Sequence, residues 1–267
     1  MVMTVAILGT GKLGEALLAG LLRSGHAADD LLVTARRPDR ATQLTHTYGV
    51  AAVTNADAAA KADVLLLTVK PQDMAVLVEQ IAEVIAPGTL VVSVAAGITT
   101  AFLEARLPAG TPVVRVMTNT PVLVDEAMSA VSPGSRVSGA QLARAEALFA
   151  PVGRVLRVPE SQQDAVTALS GSGPAYFFYL VEAMIDAGIL LGLPRAVAAE
   201  LLVQTALGAA VMLRDSGQHP VLLREAVTSP GGTTITAIRE LENHGVRAAL
   251  LAALEAARDR SQALAAG

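Results

Sequence analysis

The segment Val5-Ala6-Ile7-Leu8-Gly9-Thr10-Gly11-Lys12-Leu13-Gly14 constrains the fold more than any other part of the chain. An apolar run leads into glycines spaced G-x-G-x-x-G, and Glu15 to Leu22 continue with helical periodicity. The pattern predicts a strand that turns directly into a helix. Gly9 permits a sharp exit from the strand. Gly11 leaves no side chain between backbone and ligand, and Gly14 lets the helix pack close to the sheet. Free amides at the positive end of such a helix suit a pyrophosphate. Leu8, Gly9, Thr10, Gly11, Lys12, Leu13 and Gly14 are therefore candidates for holding a dinucleotide. The alternative is a tight strand-to-helix turn without a ligand.

In a β-α-β nucleotide unit that binds NAD, an acidic residue at the end of the second strand holds the adenosine ribose. Leu31-Leu32-Val33 reads as that strand, and Thr34-Ala35-Arg36-Arg37-Pro38 follows with no acid at its tip. A carboxylate there would repel a 2′-phosphate. At about 4 Å and an effective dielectric near 20, one such contact is worth about 4 kcal/mol before solvent losses. Arg36 and Arg37 reverse the sign, and a guanidinium grips phosphate through two parallel bonds. Thr34, Arg36 and Arg37 thus predict NADP(H) in preference to NAD(H). Asp39 follows closely and blunts the effect, so NAD(H) stays possible. Two arginines on a solvated turn are the bland alternative.

Apolar, β-branched runs alternate with helical patterns through the first half. Strands are expected over Ala62–Val69, Thr89–Val94 and Pro112–Met117, with helices from Gln72 to Ile85 and from about Thr99. This alternation predicts a mainly parallel α/β sheet, doubly wound in the Rossmann manner and covered on both faces. Ligands bind such sheets beyond the carboxyl ends of the strands. Four loops then face one cofactor: Gly9–Gly14, Lys70-Pro71, Ala95-Ala96-Gly97 and Thr118-Asn119-Thr120-Pro121. From about Ser161 no further strand is expected. Ala/Leu-rich helical stretches follow at 164–169, 174–191, 195–215, 221–228, 234–243 and 246–265. The expected organisation is a dinucleotide-binding domain over 1–158 and an all-α domain over 159–267. Several of these helices are apolar nearly all round, which a small monomeric bundle cannot bury. A subunit interface with a two-fold copy is the reading; an internally packed six-helix domain is its alternative.

Composition narrows the functions. The 267 residues are 52% hydrophobic and 3% aromatic, with a formal net charge of −4. No basic excess attracts nucleic acid. With no cysteine, disulfides and thiolate metal sites are excluded. His26, His46, His219 and His244 are scattered, so no metal site is expected. Lys12 and Glu15 interrupt any signal-peptide apolar core. The best membrane candidate, Ala175–Leu193, contains Glu182 and Asp186 one turn apart and reads as a buried or interfacial helix. A soluble, cytoplasmic protein without nucleic-acid or membrane partners is expected.

The second unusual segment is Ser229-Pro230-Gly231-Gly232-Thr233-Thr234-Ile235-Thr236. It breaks the helical half with a Pro-Gly-Gly turn and then starts a helix rich in hydroxyls. Helix-start amides there suit a carboxylate, and Thr233 and Thr234 offer hydroxyl donors and acceptors. A plain helix cap and turn is the competing reading.

These residues carry a resemblance. The chain resembles the pyrroline-5-carboxylate reductase family over nearly its whole length. The likeness lies in the N-terminal Gly loop, Val69-Lys70-Pro71, Val94-Ala95-Ala96-Gly97, Met117-Thr118-Asn119-Thr120-Pro121, Leu169-Ser170-Gly171-Ser172-Gly173-Pro174-Ala175-Tyr176 and Ser229–Thr234. Leu13 and Ala226 depart from the family's usual choices. The resemblance implies NAD(P)H-dependent reduction of L-1-pyrroline-5-carboxylate to L-proline, the final step of proline biosynthesis. It also implies a site that combines one subunit's cofactor domain with helices of a second. It places the Gly loop from Leu8 to Gly14, Asn55, Val69 to Pro71 and Ala95 to Gly97 on the cofactor, and the strand-tip reading adds Thr34, Arg36, Arg37 and Asn119. Glu160, Val227, Ser229, Gly232, Thr233 and Thr234 fall on the substrate, with Thr234 bonded to the ring nitrogen as the catalytic candidate.

The residues support that chemistry in one respect. A ketone reductase supplies a proton to a developing alkoxide, usually from His, Lys or Tyr. Here no His pairs with a carboxylate in a recognisable motif. A protonated cyclic imine is already electrophilic at carbon, so placing the nicotinamide against it supplies much of the rate. Lys70, ahead of proline at a strand end, reads as a cofactor-loop residue more than as a proton donor. Another NADPH-dependent imine reductase or a β-hydroxyacid-dehydrogenase-like enzyme is the main rival, and a non-catalytic NADP sensor is a second. Residues 161–265 contain no lysine, against the helix-borne lysine expected of hydroxyacid enzymes.

Overall fold

The computed structural model describes residues 3–266. Contacts divide the chain into two units. The first runs to Ser172 and takes in the chain again from Ala257; the second is Gly173–Ala256.

The first unit is built on one eight-stranded sheet. Its strands are β1 (Val5–Leu8), β2 (Leu31–Thr34), β3 (Ala51–Ala52), β4 (Val64–Leu67), β5 (Leu90–Ser93), β6 (Val113–Met117), β7 (Ala127–Pro133) and β8 (Gly153–Arg157). Their order is β3-β2-β1-β4-β5-β6-β7-β8. The six strands from β3 across to β6 run parallel, with Val5 of β1 registered between Leu31 and Val64. β7 runs antiparallel to β6, and β8 is parallel to β7. The doubly wound parallel sheet is therefore present. β7 and β8 extend it beyond the expected strands.

Alternation along each strand explains why these runs are apolar throughout. Val5 and Ile7 join Leu17 and Leu21 of the first helix (Lys12–Arg23) and Leu148 and Phe149 on one face. Ala6 and Leu8 join Leu77, Val78 and Ile81 of the helix Met74–Ala82 on the other. All four residues of β1 are fully buried. A side chain that is dry on either face favours an unbroken apolar strand over alternation with polar residues.

Contacts group residues 159–172 with the sheet. Residues after 158 are pinned to the sheet. Gln163 Nε2 donates to the Ala130 carbonyl at 3.1 Å and to Ser132 Oγ at 2.7 Å. Asn119 Nδ2 donates to the Ser170 carbonyl at 3.2 Å, and Ser261 Oγ donates to Asp164 Oδ1 at 2.7 Å. The last bond returns the end of the chain to the first unit.

The second unit is helical: Gly173–Leu190, Arg195–Ser216, Pro220–Ala226, Thr233–Asn243 and most of Val246–Ala266. The helices expected here all form. Gly188 explains one close crossing, since a Cβ on it would stand 2.9 Å from the Cβ of Ala198. Two helical stretches, Glu160–Leu190 and Arg195–Ser216, are long and apolar enough to cross a membrane by length and composition.

Candidate active site

The tip of β1 opens into a cleft of about 1440 Å³. Gly9 leaves the strand at φ +86°, a conformation open to glycine at little cost, and a Cβ there would collide with Val69. Gly14 lies close against the sheet, where a Cβ would stand 2.8 Å from Thr68 Oγ1. Gly11 differs from both. The nearest atom to a Cβ on it is the Gly9 carbonyl oxygen at 3.9 Å. The space beside Gly11 is left for something other than this chain's core. Gly11 is also the N-cap of the first helix and offers no side-chain cap, so the first-turn amides face the cleft side uncapped. These features fit a pyrophosphate.

Hydrogen bonds hold this loop. Gly9 N donates to Thr34 Oγ1 at 3.0 Å, Thr10 N donates to the Thr34 carbonyl at 2.9 Å, and Thr68 Oγ1 donates to the Leu8 carbonyl at 3.0 Å. Thr34 thus ties β2's tip to the Gly loop. Gly9, Thr10, Gly11, Lys12, Thr34, Arg36, Arg37, Asn55, Val69 and Lys70 all line the cleft. Leu8 and Gly14 are buried beneath it, Leu13 packs on the core, and Pro71 begins the short turn after Lys70. Asn55 Nδ2 donates to Gln80 Oε1 at 2.8 Å across the cleft wall.

Ala95, Ala96, Gly97 and Asn119 do not line this cleft. The first three form the exit from β5, where Ala95 N donates to Ser93 Oγ at 3.3 Å and Gly97 sits at φ +75°. Asn119 is a bracket: its amide donates to Ser170, and its Oδ1 accepts from Met128 N at 3.0 Å. Glu160 is also engaged inside the first unit. Its oxygens accept from Thr100 N at 2.8 Å, from the Thr100 hydroxyl and from the buried Arg115 guanidinium at 3.4 Å. It thereby takes one first-turn amide of the helix Thr100–Glu104, whose N-cap is Thr99.

Charged residues missed in the sequence complete the wall. Arg40, in the first turn of the helix Pro38–Tyr48, pairs with Glu15 and donates from Nε to the Thr10 carbonyl at 3.4 Å. Tyr48 Oη donates to Glu15 Oε1 at 3.1 Å. Burial raises the Tyr48 phenol's pKa, and its bond to Glu15 adds to the rise. Arg36 Nη2 meets Asp73 Oδ2 at 2.8 Å, and Arg37 meets Asp39 at 3.6 Å. No local spacing signals Arg40, because its partner Glu15 lies 25 positions away and is reached through strand order.

The Ser229–Thr234 corner lies in the second unit. Gly231 turns at φ +67°, and Gly232 N donates to the Ser229 carbonyl at 3.1 Å. Gly232 then serves as N-cap of Thr233–Asn243 without a side-chain cap. Thr234 is half-buried in that first turn, Thr233 and Ser229 are exposed, and Val227 is exposed at the end of the preceding helix. No group of three or more His, Asp or Glu residues suited to a metal occurs among the described residues.

Two family models match separate parts of the chain. Residues 4–97 match a family model described as NADP oxidoreductase, coenzyme F420-dependent, and residues 160–264 match one described as pyrroline-5-carboxylate reductase dimerisation. A pyrroline-5-carboxylate reductase of Mycobacterium tuberculosis is 48% identical over 97% of this chain and 96% of its own. The chain belongs to the pyrroline-5-carboxylate reductase family. A member from Pseudomonas aeruginosa is 43% identical over 98% of this chain and 96% of its own. The solved structure of the Coxiella burnetii member superposes with a TM-score of 0.94 at 36% identity, covering 99% of both chains. The Plasmodium falciparum member, solved with NADP bound, gives a TM-score of 0.88 at 26% identity over 98% of each chain.

Proposed function

We propose that this protein reduces L-1-pyrroline-5-carboxylate to L-proline with a reduced nicotinamide dinucleotide. The observation that carries the reading is Gly11: an uncapped helix start beside space that a single methyl would invade, at the tip of the strand-turn-helix unit. The nucleotide, when bound, supplies a hydride to the carbon of the ring C=N bond, while a proton goes to nitrogen. The chain's part is placement. First-turn amides of the helix Lys12–Arg23 hold the pyrophosphate, and Thr34 keeps the Gly loop in register. Amides at the start of Thr233–Asn243 hold the substrate carboxylate, and the half-buried Thr234 hydroxyl bonds the ring nitrogen and orients the imine.

NADPH is favoured over NADH through Arg36 and Arg37, both at the cleft. The helical unit associates with a second copy, which supplies a corner to complete the site. Self-association, rather than a membrane, covers the apolar helices; the dimerisation match over 160–264 supports this.

The test is NADPH oxidation by the purified protein with L-1-pyrroline-5-carboxylate, with the product identified by mass and chirality. L-proline formed one-to-one with NADP supports the reading. NADPH binding without imine-dependent oxidation contradicts it.

A further inference from the structure

We propose that Asp73 sets how strongly the enzyme prefers NADPH to NADH, by competing with the 2′-phosphate for the Arg36 guanidinium. The inference rests on the reading that the adenosine ribose lies at the tip of β2. Arg36 follows β2 and Asp73 ends the turn after β4, with β1 between these strands. Their ion pair, at 2.8 Å, therefore reaches from one side of the Gly loop's strand to the other. Both residues line the cleft, and the Arg36 side chain is 83% exposed.

The neighbouring guanidiniums are paired as well, Arg37 with Asp39 and Arg40 with Glu15. Three arginines on this wall thus face three carboxylates. A phosphate monoester carries a charge between about −1.5 and −2 near pH 7. To bind the guanidinium that Asp73 holds, it must displace or share that carboxylate, so loss of the Arg36–Asp73 pair offsets part of its gain. NADH has a hydroxyl at that position and leaves the pair intact. For an exposed pair the effect is about two- to fivefold.

The experiment measures NADPH and NADH dissociation constants by fluorescence titration for the wild type, Asp73→Asn, Arg36→Ala and the double variant. The expected result is a rise of about two- to fivefold in the ratio Kd(NADH)/Kd(NADPH) for Asp73→Asn. In the Arg36→Ala background that gain shrinks below about twofold, because the contested guanidinium is gone. A ratio that stays or falls in Asp73→Asn overturns the proposal, as does a gain that persists in full without Arg36. Arg36→Ala alone tests the underlying reading. Equal losses for NADPH and NADH show that Arg36 does not hold the 2′-phosphate. A selective NADPH loss with no response to Asp73→Asn removes the role of Asp73 alone.

Discussion

In the first unit β1, β2, β4 and β5 are buried at every residue, with helices closing both faces of the sheet. In the second unit, Gly173 and Ala198 are the buried residues among 173–256, while Phe177, Phe178 and Tyr179 are about 70% exposed. The two units are comparably apolar in sequence and opposite in what a single copy buries. Apolar content alone therefore does not say which surface a chain covers by itself. The sheet satisfies its own strands, whereas the helical unit leaves many large apolar side chains exposed, Leu190, Leu191 and Leu201 among them.

The largest expected effect breaks that contrast at the helical surface. Replacing Phe177 and Phe178 together by Asp removes about 1.5–3 kcal/mol of burial per side chain, and a two-fold interface counts each change twice. Association is expected to weaken about a thousandfold or more, read by sedimentation equilibrium. An unchanged subunit number would show that Phe177 and Phe178 do not lie in the subunit interface.

Inside the first unit, Gly9 and Gly11 sharpen the distinction between packing and binding. Gly9→Ala forces a methyl into Val69 at a positive φ, with an expected loss of about 2–4 kcal/mol in urea unfolding. Gly11→Ala has room, so stability shifts by less than about 1 kcal/mol while NADPH affinity falls about tenfold or more. Equal destabilisation by both would erase the difference.

Glu160→Gln is a smaller test at the junction. The carboxylate bonds Thr100 and the buried Arg115. Stability is expected to fall by about 1–3 kcal/mol with the substrate KM unchanged. A raised KM at unchanged stability would place Glu160 on the substrate instead.

Most of the sheet was legible because parallel strands are apolar on both faces, so β1, β4 and β5 stand out as continuous runs. β7 and β8 were not. Ser129 and Ser132 interrupt β7, and β8 (Gly-Arg-Val-Leu-Arg) is a half-exposed edge whose polar residues hide it. The Gly loop was legible because turn geometry and close packing demand glycine at fixed spacing. The cleft's charge balance was not, since Arg36–Asp73 and Glu15–Arg40 join residues 37 and 25 positions apart. Their pairing follows from strand order, which periodicity does not reveal. The bonds of Gln163 and Asp164 were not legible either, since they reach the sheet and the chain's end.

On the proposed reading, the sheet unit holds the nucleotide and the Pro-Gly-Gly-Thr corner holds the imine. Thr234→Ala tests it most directly, with turnover and NADPH affinity measured on the same preparation. Turnover is expected to fall about tenfold or more while the NADPH dissociation constant stays within about twofold. Undiminished turnover, or an equal loss of NADPH affinity, would contradict it.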